Sequence, residues 1–255
     1  PGRRADVILT SDLTALPIEL VIAQGQVVAE AGRRLVECPR LDWPDSARNS
    51  VHLGKVLTRA DFELPAKGDQ VRVRVIGVVE NQAPTRALEA DLPVRDGLIE
   101  AEGEICQIAL VERHRGTGGV VNGFVSGFGY RGRVAVASTV AHDSHHMIVV
   151  GTDRETMAAA ANHLGAVGGG VTVFRDGAEL ATVALPIAGL MSDQPAEEVA
   201  EAAQAIVQAM QDCGCTLNNA YMQHSLLALV VIPELRISDL GIVDVREFRI
   251  VDLIV

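Results

Sequence analysis

Stretches of alternating or continuous apolar residues recur along most of the chain and predict a structure rich in β-strands. Val71–Ile76 alternates strictly between apolar and polar positions, which is typical of a strand with one buried face. Further strands are predicted at Ile105–Val111 and Val171–Phe174. Asp176-Gly177 follows the second of these and favours a tight turn, so we expect Glu179–Leu185 to return as its hairpin partner.

The first part of the chain has short apolar runs of its own. Val7–Leu9 predicts a strand. Leu20–Ala23 and Gln26–Glu30 lie on either side of Gly25, which is the pattern of a β-hairpin. We therefore expect at least three strands before residue 35.

A helix is predicted after the middle of the chain. Thr152 and Glu155 have the spacing of a capping box, in which each side chain would bond the backbone of the other. We expect this helix to end at Gly165. Its apolar stripe consists of Met157, Ala161 and Leu164.

A second helix is predicted to start at Ser192-Asp193-Gln194-Pro195, which offers capping side chains and an early proline, and to run to Gly214. Its apolar stripe consists of Val199, Ala203, Ile206 and Met210. Strands and helices alternate without the regular rhythm of a doubly wound sheet. The predicted fold class is therefore α+β (mixed α/β), with mixed sheets and at least two amphipathic helices.

The region between the two groups of strands differs from them in composition. Glu37–Phe62 is rich in turn formers, among them Cys38-Pro39-Arg40, and has no periodicity, so we place a linker there. The chain is predicted to divide into residues 1–60, with the first strands and the linker, and residues 61–255, a larger α/β domain. The opening segment has no initiator Met and no signal pattern and enters a strand directly, as if it belonged to a longer protein.

Composition argues against several classes of function. The net charge of −11 argues against a nucleic-acid partner, and no basic run offers a patch for a membrane surface. The longest apolar stretch, Leu226–Ile232, is far shorter than a membrane span. Four cysteines are too few and too scattered for a disulfide framework, which favours the reducing cytoplasm. Cys213-Gly214-Cys215 follows a predicted helix, so Gly214 is read as its C-terminal cap rather than the centre of a ligand pair.

The strongest candidate for chemistry is a histidine cluster. Three of the seven histidines, His142, His145 and His146, lie within five residues, between the strand-like runs Arg133–Val140 and Met147–Gly151. A sharp turn would let His142 and His145 converge, with Asp143 accepting from an imidazole N–H. Three interpretations stay open: a role at or beside an active site, a hydrogen-bonded structural corner, or an independent metal site.

Other segments carry weaker signals. Glu112, Arg113 and His114 stand at the end of a predicted strand, either as functional groups or as a solvated strand end. Gly127–Gly132 is either a flap over a ligand or a tight hairpin. Gly165–Gly170 lies between a helix and a strand, the reverse of the order that a phosphate-binding loop needs. His224, beside Met222 and Leu226, is interpreted as a structural histidine near the core.

Several longer motifs resemble the C-terminal domain of bacterial adenine deaminases. The first is Gly123–Gly151, which reads GFVSGFGYRGRVAVASTVAHDSHHMIVVG; the others are Val111–His114, Leu185–Ser192 and Ser225–Pro233, in the expected order. The stretch before residue 35 resembles the closing strands of an amidohydrolase β-sandwich. Two positions depart from the familiar pattern, His146 in place of Asn and Gln223-His224 in place of Thr-Leu.

The resemblance implies hydrolysis of adenine to hypoxanthine and ammonia by a water bound to a divalent metal pair. Manganese or iron, or zinc, is expected to be held mainly outside this chain, in a barrel domain, so this chain alone should be inactive. The candidate residues of this chain for the substrate pocket or its support are His142, Asp143, His145, Glu112 and His114. The expected partners are adenine, the barrel segment and further copies of the protein. The alternative is a stand-alone module that binds purine or metal without catalysis.

Overall fold

The computed structural model describes residues 2–37 and 41–255. The chain forms two compact units, Pro1–Asp42 and Trp43–Val255. Both contain antiparallel sheet, and the larger one also contains the helices. The predicted α+β fold class is thus confirmed. The predicted domain boundary between residues 60 and 61 is not tested by these two units. It stays a prediction.

The smaller unit is a four-stranded antiparallel sheet in the order of the sequence. Its strands are β1 (Val7–Thr10), β2 (Ile18–Ala23), β3 (Gln26–Glu30) and β4 (Arg33–Arg34). The predicted strand at Val7–Leu9 and the predicted hairpin around Gly25 are both confirmed. Most of this unit's apolar side chains are exposed, because a single small sheet has no second layer of its own to bury them.

The larger unit is built on a nine-stranded sheet with the order β13-β12-β10-β11-β8-β9-β5-β6-β7. The pairs are antiparallel except β5 with β9, which is parallel. Their bounds are β5 (Gln70–Gly77), β6 (Arg86–Arg95), β7 (Leu98–Ile99), β8 (Ile105–Val111), β9 (Val120–Ser126), β10 (Val134–Ser138), β11 (Met147–Gly151), β12 (Gly170–Arg175) and β13 (Ala178–Ala184). The predicted strands that we named from residue 71 to residue 185 all lie within or overlap these elements.

Four α-helices and one short 3₁₀ helix are present among the described residues. They are α1 (Asp45–Arg48), the 3₁₀ helix Arg59–Phe62, α2 (Arg154–Ala166), α3 (Ala196–Asp212) and α4 (Ala220–Leu226). Helix α2 packs its apolar stripe on one face of the sheet, where Met157, Ala161 and Leu164 are fully buried. Helix α3 packs on the opposite face, where Ile206 and Met210 are buried.

The predicted ends of α2 were each off by one residue. The N-terminal cap is Asp153, whose carboxylate accepts from the N–H of Thr156 at 2.9 Å. Thr152 cannot cap because its hydroxyl accepts from the N–H of Val134 at 2.9 Å and so serves the neighbouring strand. The helix also continues through Gly165, and positive φ begins only at Gly168.

The predicted cap of α3 was also wrong, and the helix ends at Asp212, two residues before the predicted end, although Gly214 does close it as expected. Pro195 occupies the N-terminal cap position, and no side chain bonds the first turn. At the other end the N–H of Gly214 bonds the carbonyl of Gln211 at 2.8 Å, and Cys215 bonds Met210 at 3.0 Å. Such bonds satisfy carbonyl groups of the last helical turn, where the chain reverses at a glycine.

The segment Gly127–Gly132 is not a hairpin. Strands β9 and β10, which it joins, are separated in the sheet by β8 and β11, so the segment crosses over two strands. Phe128 and Tyr130 stack at 5.4 Å and are 0% and 5% exposed. Its aromatic side chains therefore belong to the core, and a flap over a ligand would have to expose them.

A three-stranded antiparallel sheet follows α4 and consists of β14 (Leu235–Ser238), β15 (Gly241–Asp244) and β16 (Arg249–Val251). Its buried residues Ile237 and Ile242 belong to the same cluster as Ile108 and Ile148 of the large sheet. Asp239 and Leu240 form the turn between β14 and β15, and both are exposed. This arrangement positions one wall of the site described below.

Part of the predicted linker Glu37–Phe62 packs into the larger unit. Leu57 and Phe62 are buried in the cluster that α2 covers. This part of the prediction was wrong because the apolar residues that pack there, Val51, Leu53, Leu57 and Phe62, follow no regular period in the sequence. Cys38-Pro39-Arg40 lies outside the described residues. Among the described residues, no helix has the length and apolarity needed to cross a membrane.

Candidate polar pocket at the ends of two strands

Strand register brings two candidate segments together. Strands β8 and β11 pair with Met147 opposite Val111 and Ile148 opposite Leu110. One residue further along, His146 and Glu112 lie across from each other, on the same face as Leu110 because side chains alternate along a strand. The histidine cluster and the Glu112–His114 segment therefore meet at this end of the sheet.

The carboxylate of Glu112 closes the loop that follows its strand. Its Oε1 accepts from the N–H groups of His114 at 2.5 Å and Arg115 at 2.8 Å. Its Oε2 accepts from the N–H of Thr117 at 3.0 Å and from the Thr117 hydroxyl at 3.1 Å. Burial acts to raise the pKa of Glu112, but these bonds together lower the pKa to about 2. Glu112 is therefore ionised at neutral pH.

His146 lies between two carboxylates. Its Nδ1 is 4.0 Å from Oε1 of Glu112, and its Nε2 is 3.6 Å from Oδ2 of Asp239. The side chain is 7% exposed, and the buried Nδ1 has no hydrogen-bond partner among the described residues. Burial lowers the pKa of His146, with Asp239 acting in the opposite direction. The imidazole is therefore neutral at neutral pH.

His114 forms a third side of the same site. Its ring lies 4.7 Å from the ring of His146, and its Nε2 is 2.7 Å from the carbonyl oxygen of Ser144. A carbonyl can only accept, so the proton of His114 is assigned to Nε2. Around these groups is a pocket of about 460 Å³. It is lined by Leu110, Glu112, His114, Arg115, Thr117, Gly119, Val120, Val121, His146 and Asp239.

The remaining candidates lie behind the pocket rather than in its lining. The rings of His142 and His145 approach to 5.3 Å, as the predicted convergence requires. The Nδ1 of His145 accepts from the N–H of Ala141 at 3.3 Å, and burial lowers the pKa of His145. Asp143 is exposed, and among the described residues it accepts no bond from an imidazole, contrary to expectation. Whether His142, Asp143 and His145 serve an active site stays a prediction.

Arg113 fixes the position of this loop. It is 1% exposed and donates to the carbonyls of His145 at 2.5 Å, Ser50 at 3.1 Å and Ala188 at 3.1 Å. Burial lowers its pKa to about 10, which leaves it charged at neutral pH. A single guanidinium thus joins three chain segments directly behind the pocket.

Two weaker sequence signals, His224 and the glycines after α2, have structural explanations. His224 is fully buried, its Nε2 lies 3.2 Å from the carbonyl oxygen of Val136, and burial lowers its pKa to about 4. Gly170 lies so close to β13 that a Cβ there would stand 1.9 Å from the carbonyl oxygen of Val183. The glycines after α2 therefore allow close backbone packing.

Sequence reasoning missed two residues of the pocket. His146 was counted in the histidine cluster but left out of the candidate pocket residues, because it departs from the family pattern. Its alternation with Ile148 would have placed it on the buried face. Asp239 was not considered at all. Ser238-Asp239-Leu240-Gly241 is a recognisable turn, but only the tertiary structure brings it to the histidines.

The described residues do not fit a metal centre. No group of three or more His, Cys, Asp or Glu side chains among residues 2–37 and 41–255 is arranged to hold a metal ion. The pocket holds two imidazoles and two carboxylates, but Glu112 already accepts four hydrogen bonds. The independent metal site considered for the histidine cluster is therefore not supported.

Fold and pocket together define an α+β domain with a pocket lined by histidines and carboxylates. Residues 82–249 match the family described as the adenine deaminase C-terminal domain, and the chain belongs to this family. The resemblance seen in the sequence motifs is thereby confirmed.

Named relatives agree with this assignment. The chain is 82% identical to an adenine deaminase of Paracoccus denitrificans and 73% identical to one of Ruegeria sp., in both cases over its whole length. It is 46% identical to the adenine deaminase of Moorella thermoacetica. The chain spans 43% of the length of each of these relatives.

Proposed function

We propose that this chain acts as the C-terminal part of an adenine deaminase, an enzyme that hydrolyses adenine to hypoxanthine and ammonia. The observation that carries the proposal is the family match over residues 82–249, together with 82% identity over the whole chain to a protein named adenine deaminase. The domain would contribute binding surface and support to a reaction centre that lies mainly elsewhere.

The proposal includes a divalent metal pair, manganese or iron, or zinc, bound by residues outside this chain. This division of labour is part of the proposal and follows the resemblance to adenine deaminases. It also includes a barrel segment of the amidohydrolase type as the intramolecular partner, assembly into a homo-oligomer, and a cytoplasmic location. The free, buried cysteines Cys106, Cys213 and Cys215 are compatible with a reducing compartment.

A chimera tests the proposal directly. In the adenine deaminase of Paracoccus denitrificans, the matching 43% of the protein would be replaced by this chain. We expect the purified chimera to release ammonia from adenine at a rate within about tenfold of the parent, because most of the contacts between the two parts should survive at this identity.

The isolated 255-residue chain is the matched control, and we expect it to release no ammonia even with added manganese. A folded, metal-loaded chimera without activity would contradict the proposal and favour a stand-alone binding module. Ammonia release by the isolated chain, abolished by a chelator, would contradict the placement of the metal pair outside it.

A further inference from the structure

The surroundings of His146 contain an electrostatic mismatch. A neutral imidazole has one N–H donor and one bare lone pair. His146 nonetheless faces a carboxylate oxygen on each side, Glu112 at 4.0 Å and Asp239 at 3.6 Å. Whichever nitrogen carries the proton, the other directs its lone pair towards a negatively charged oxygen. Protonating the ring would remove the mismatch, but burial opposes it.

The two sides of the ring differ in access. Nδ1 is fully buried, and within residues 2–37 and 41–255 the carboxylate that lies at ion-pair distance from it is that of Glu112. On the other side, Asp239 lies in a turn and its side chain is 42% exposed. Placing the proton on Nδ1, towards ionised Glu112, leaves Nε2 and Oδ2 of Asp239 as two neighbouring acceptors at the open side of the pocket. A group with two N–H donors would satisfy both.

The rest of the pocket suits a flat ring. Leu110 and Val121 are direct cross-strand partners and line the pocket with apolar surface. His114 donates its Nε2 proton to Ser144, so its Nδ1 is a further acceptor in the neutral ring. The Thr117 hydroxyl is already used as a donor to Glu112. A volume of about 460 Å³ lies in the range of small-molecule sites.

From this we infer that the pocket is a purine-binding site of this chain, selective for a base with an exocyclic amine, in which the amine lies between His146 and Asp239. The inference builds on the proposed function, since it assigns to this domain a site for the substrate class of that reaction. Adenine carries the two amine N–H donors. Hypoxanthine has a carbonyl oxygen at the same position, which would add a third acceptor to the two already there.

The test is equilibrium dialysis of the 255-residue chain with radiolabelled adenine, hypoxanthine and unsubstituted purine. We expect one saturable adenine site and affinity at least about tenfold lower for each of the other two bases, since neither carries the amine whose two N–H groups would donate to His146 and Asp239. Asp239→Ala and His146→Phe should each weaken adenine binding about tenfold or more. Asp239 lies in an exposed turn, so its variant is expected to fold even if the His146 variant does not.

Asp69→Ala is the matched control, because it removes an exposed carboxylate outside the pocket and should leave adenine binding unchanged. Absence of saturable adenine binding would overturn the inference. Equal affinity for hypoxanthine, or unaltered binding by folded Asp239→Ala, would overturn it as well. The chimera assay separates the two proposals: an active chimera made from a chain that does not bind adenine contradicts the pocket alone.

Discussion

Two arginines of the larger unit are buried in closely similar ways, and only one of them stands beside the pocket. Arg113 and Arg236 are each 1% exposed. Within residues 2–37 and 41–255, neither has a carboxylate at ion-pair distance; both donate to backbone carbonyls instead. Burial lowers the pKa of each to about 10, so both keep their charge at neutral pH.

The acceptors show what each arginine does. Arg113 joins Ser50, His145 and Ala188 and so fixes the loop that ends in His146. Arg236 donates to carbonyls at both ends of the turn segment after α4 and to a segment before β6. These acceptors are Leu226 at 2.9 Å, Ile232 at 2.8 Å, Pro233 at 3.3 Å and Ala83 at 2.5 Å.

The difference lies in the neighbouring residue. Glu112 precedes Arg113 and its charge raises the pKa of that arginine, whereas no such carboxylate acts on Arg236. Arg113 holds the loop that ends in His146, directly behind the pocket, whereas Arg236 lies within β14 and anchors the turn segment after α4. The same anchoring device thus holds a purely structural corner in one place and an electrostatically coupled site in the other.

Replacing Arg236 should have the largest effect. Arg236→Met keeps an apolar side chain of similar length but removes four hydrogen bonds from a charged donor. The carbonyls of Leu226 and Pro233 keep the N–H donors of Leu229 and Thr85. We expect a loss of about 4 kcal/mol of unfolding free energy, measured by urea denaturation, since four hydrogen bonds from a buried charged donor are lost. A loss below about 1 kcal/mol would show that the turn segment keeps its shape without the arginine.

Arg113→Met should cost slightly less, about 3 kcal/mol, because three carbonyls lose their donor. Unlike the Arg236 variant, it should also release the loop from Ala141 to His146. Hydrogen exchange would show this as faster exchange of the His145 N–H, which bonds the carbonyl of Ala141 at 2.7 Å. Equal protection of this loop in both variants would remove the distinction between the two corners.

A glycine next to Arg113 offers a smaller perturbation. Gly189 has φ +71, and a Cβ there would lie 2.8 Å from an Nη of Arg113. Gly177 has φ +78 and open space around it, so it is the matched control. We expect Gly189→Ala to cost about 2 kcal/mol and Gly177→Ala about 1 kcal/mol, the latter from backbone strain alone. Equal costs in thermal denaturation would show that Arg113 moves aside without loss.

The smallest effect at neutral pH should come from Glu112→Gln, about 1.5 kcal/mol, through lost charged hydrogen bonds. The folded pKa of Glu112, about 2, lies below its ordinary value of 4.5. Its stabilisation is therefore fully present above about pH 4.5 and is lost as the pH falls towards 2. The stability difference between wild type and variant should shrink across this window. A difference that stays constant down to pH 2 would contradict the assigned ionisation.

The strands could be predicted because their apolar positions follow a local rule. The short strand Leu235–Ser238 could not, since its centre is an arginine that is buried only through carbonyls far away in the sequence. The cap of α2 was misplaced for a similar reason: Thr152 is occupied by a neighbouring strand. In the site, Glu112 and His114 stood out as polar residues at a strand end. Asp239 required knowledge of how the last sheet packs.

The bond from Arg236 to Ala83 spans 153 positions in the sequence, and Asp239 comes three residues after that arginine. During synthesis on the ribosome, the strands that carry Glu112 and His146 emerge long before the turn that completes the pocket. A nascent chain can therefore assemble the central sheet early, but it acquires a complete pocket only when β14 and the turn after it have been released. Binding of adenine would then report that synthesis has passed Asp239, because a shorter nascent chain has His146 without its second carboxylate.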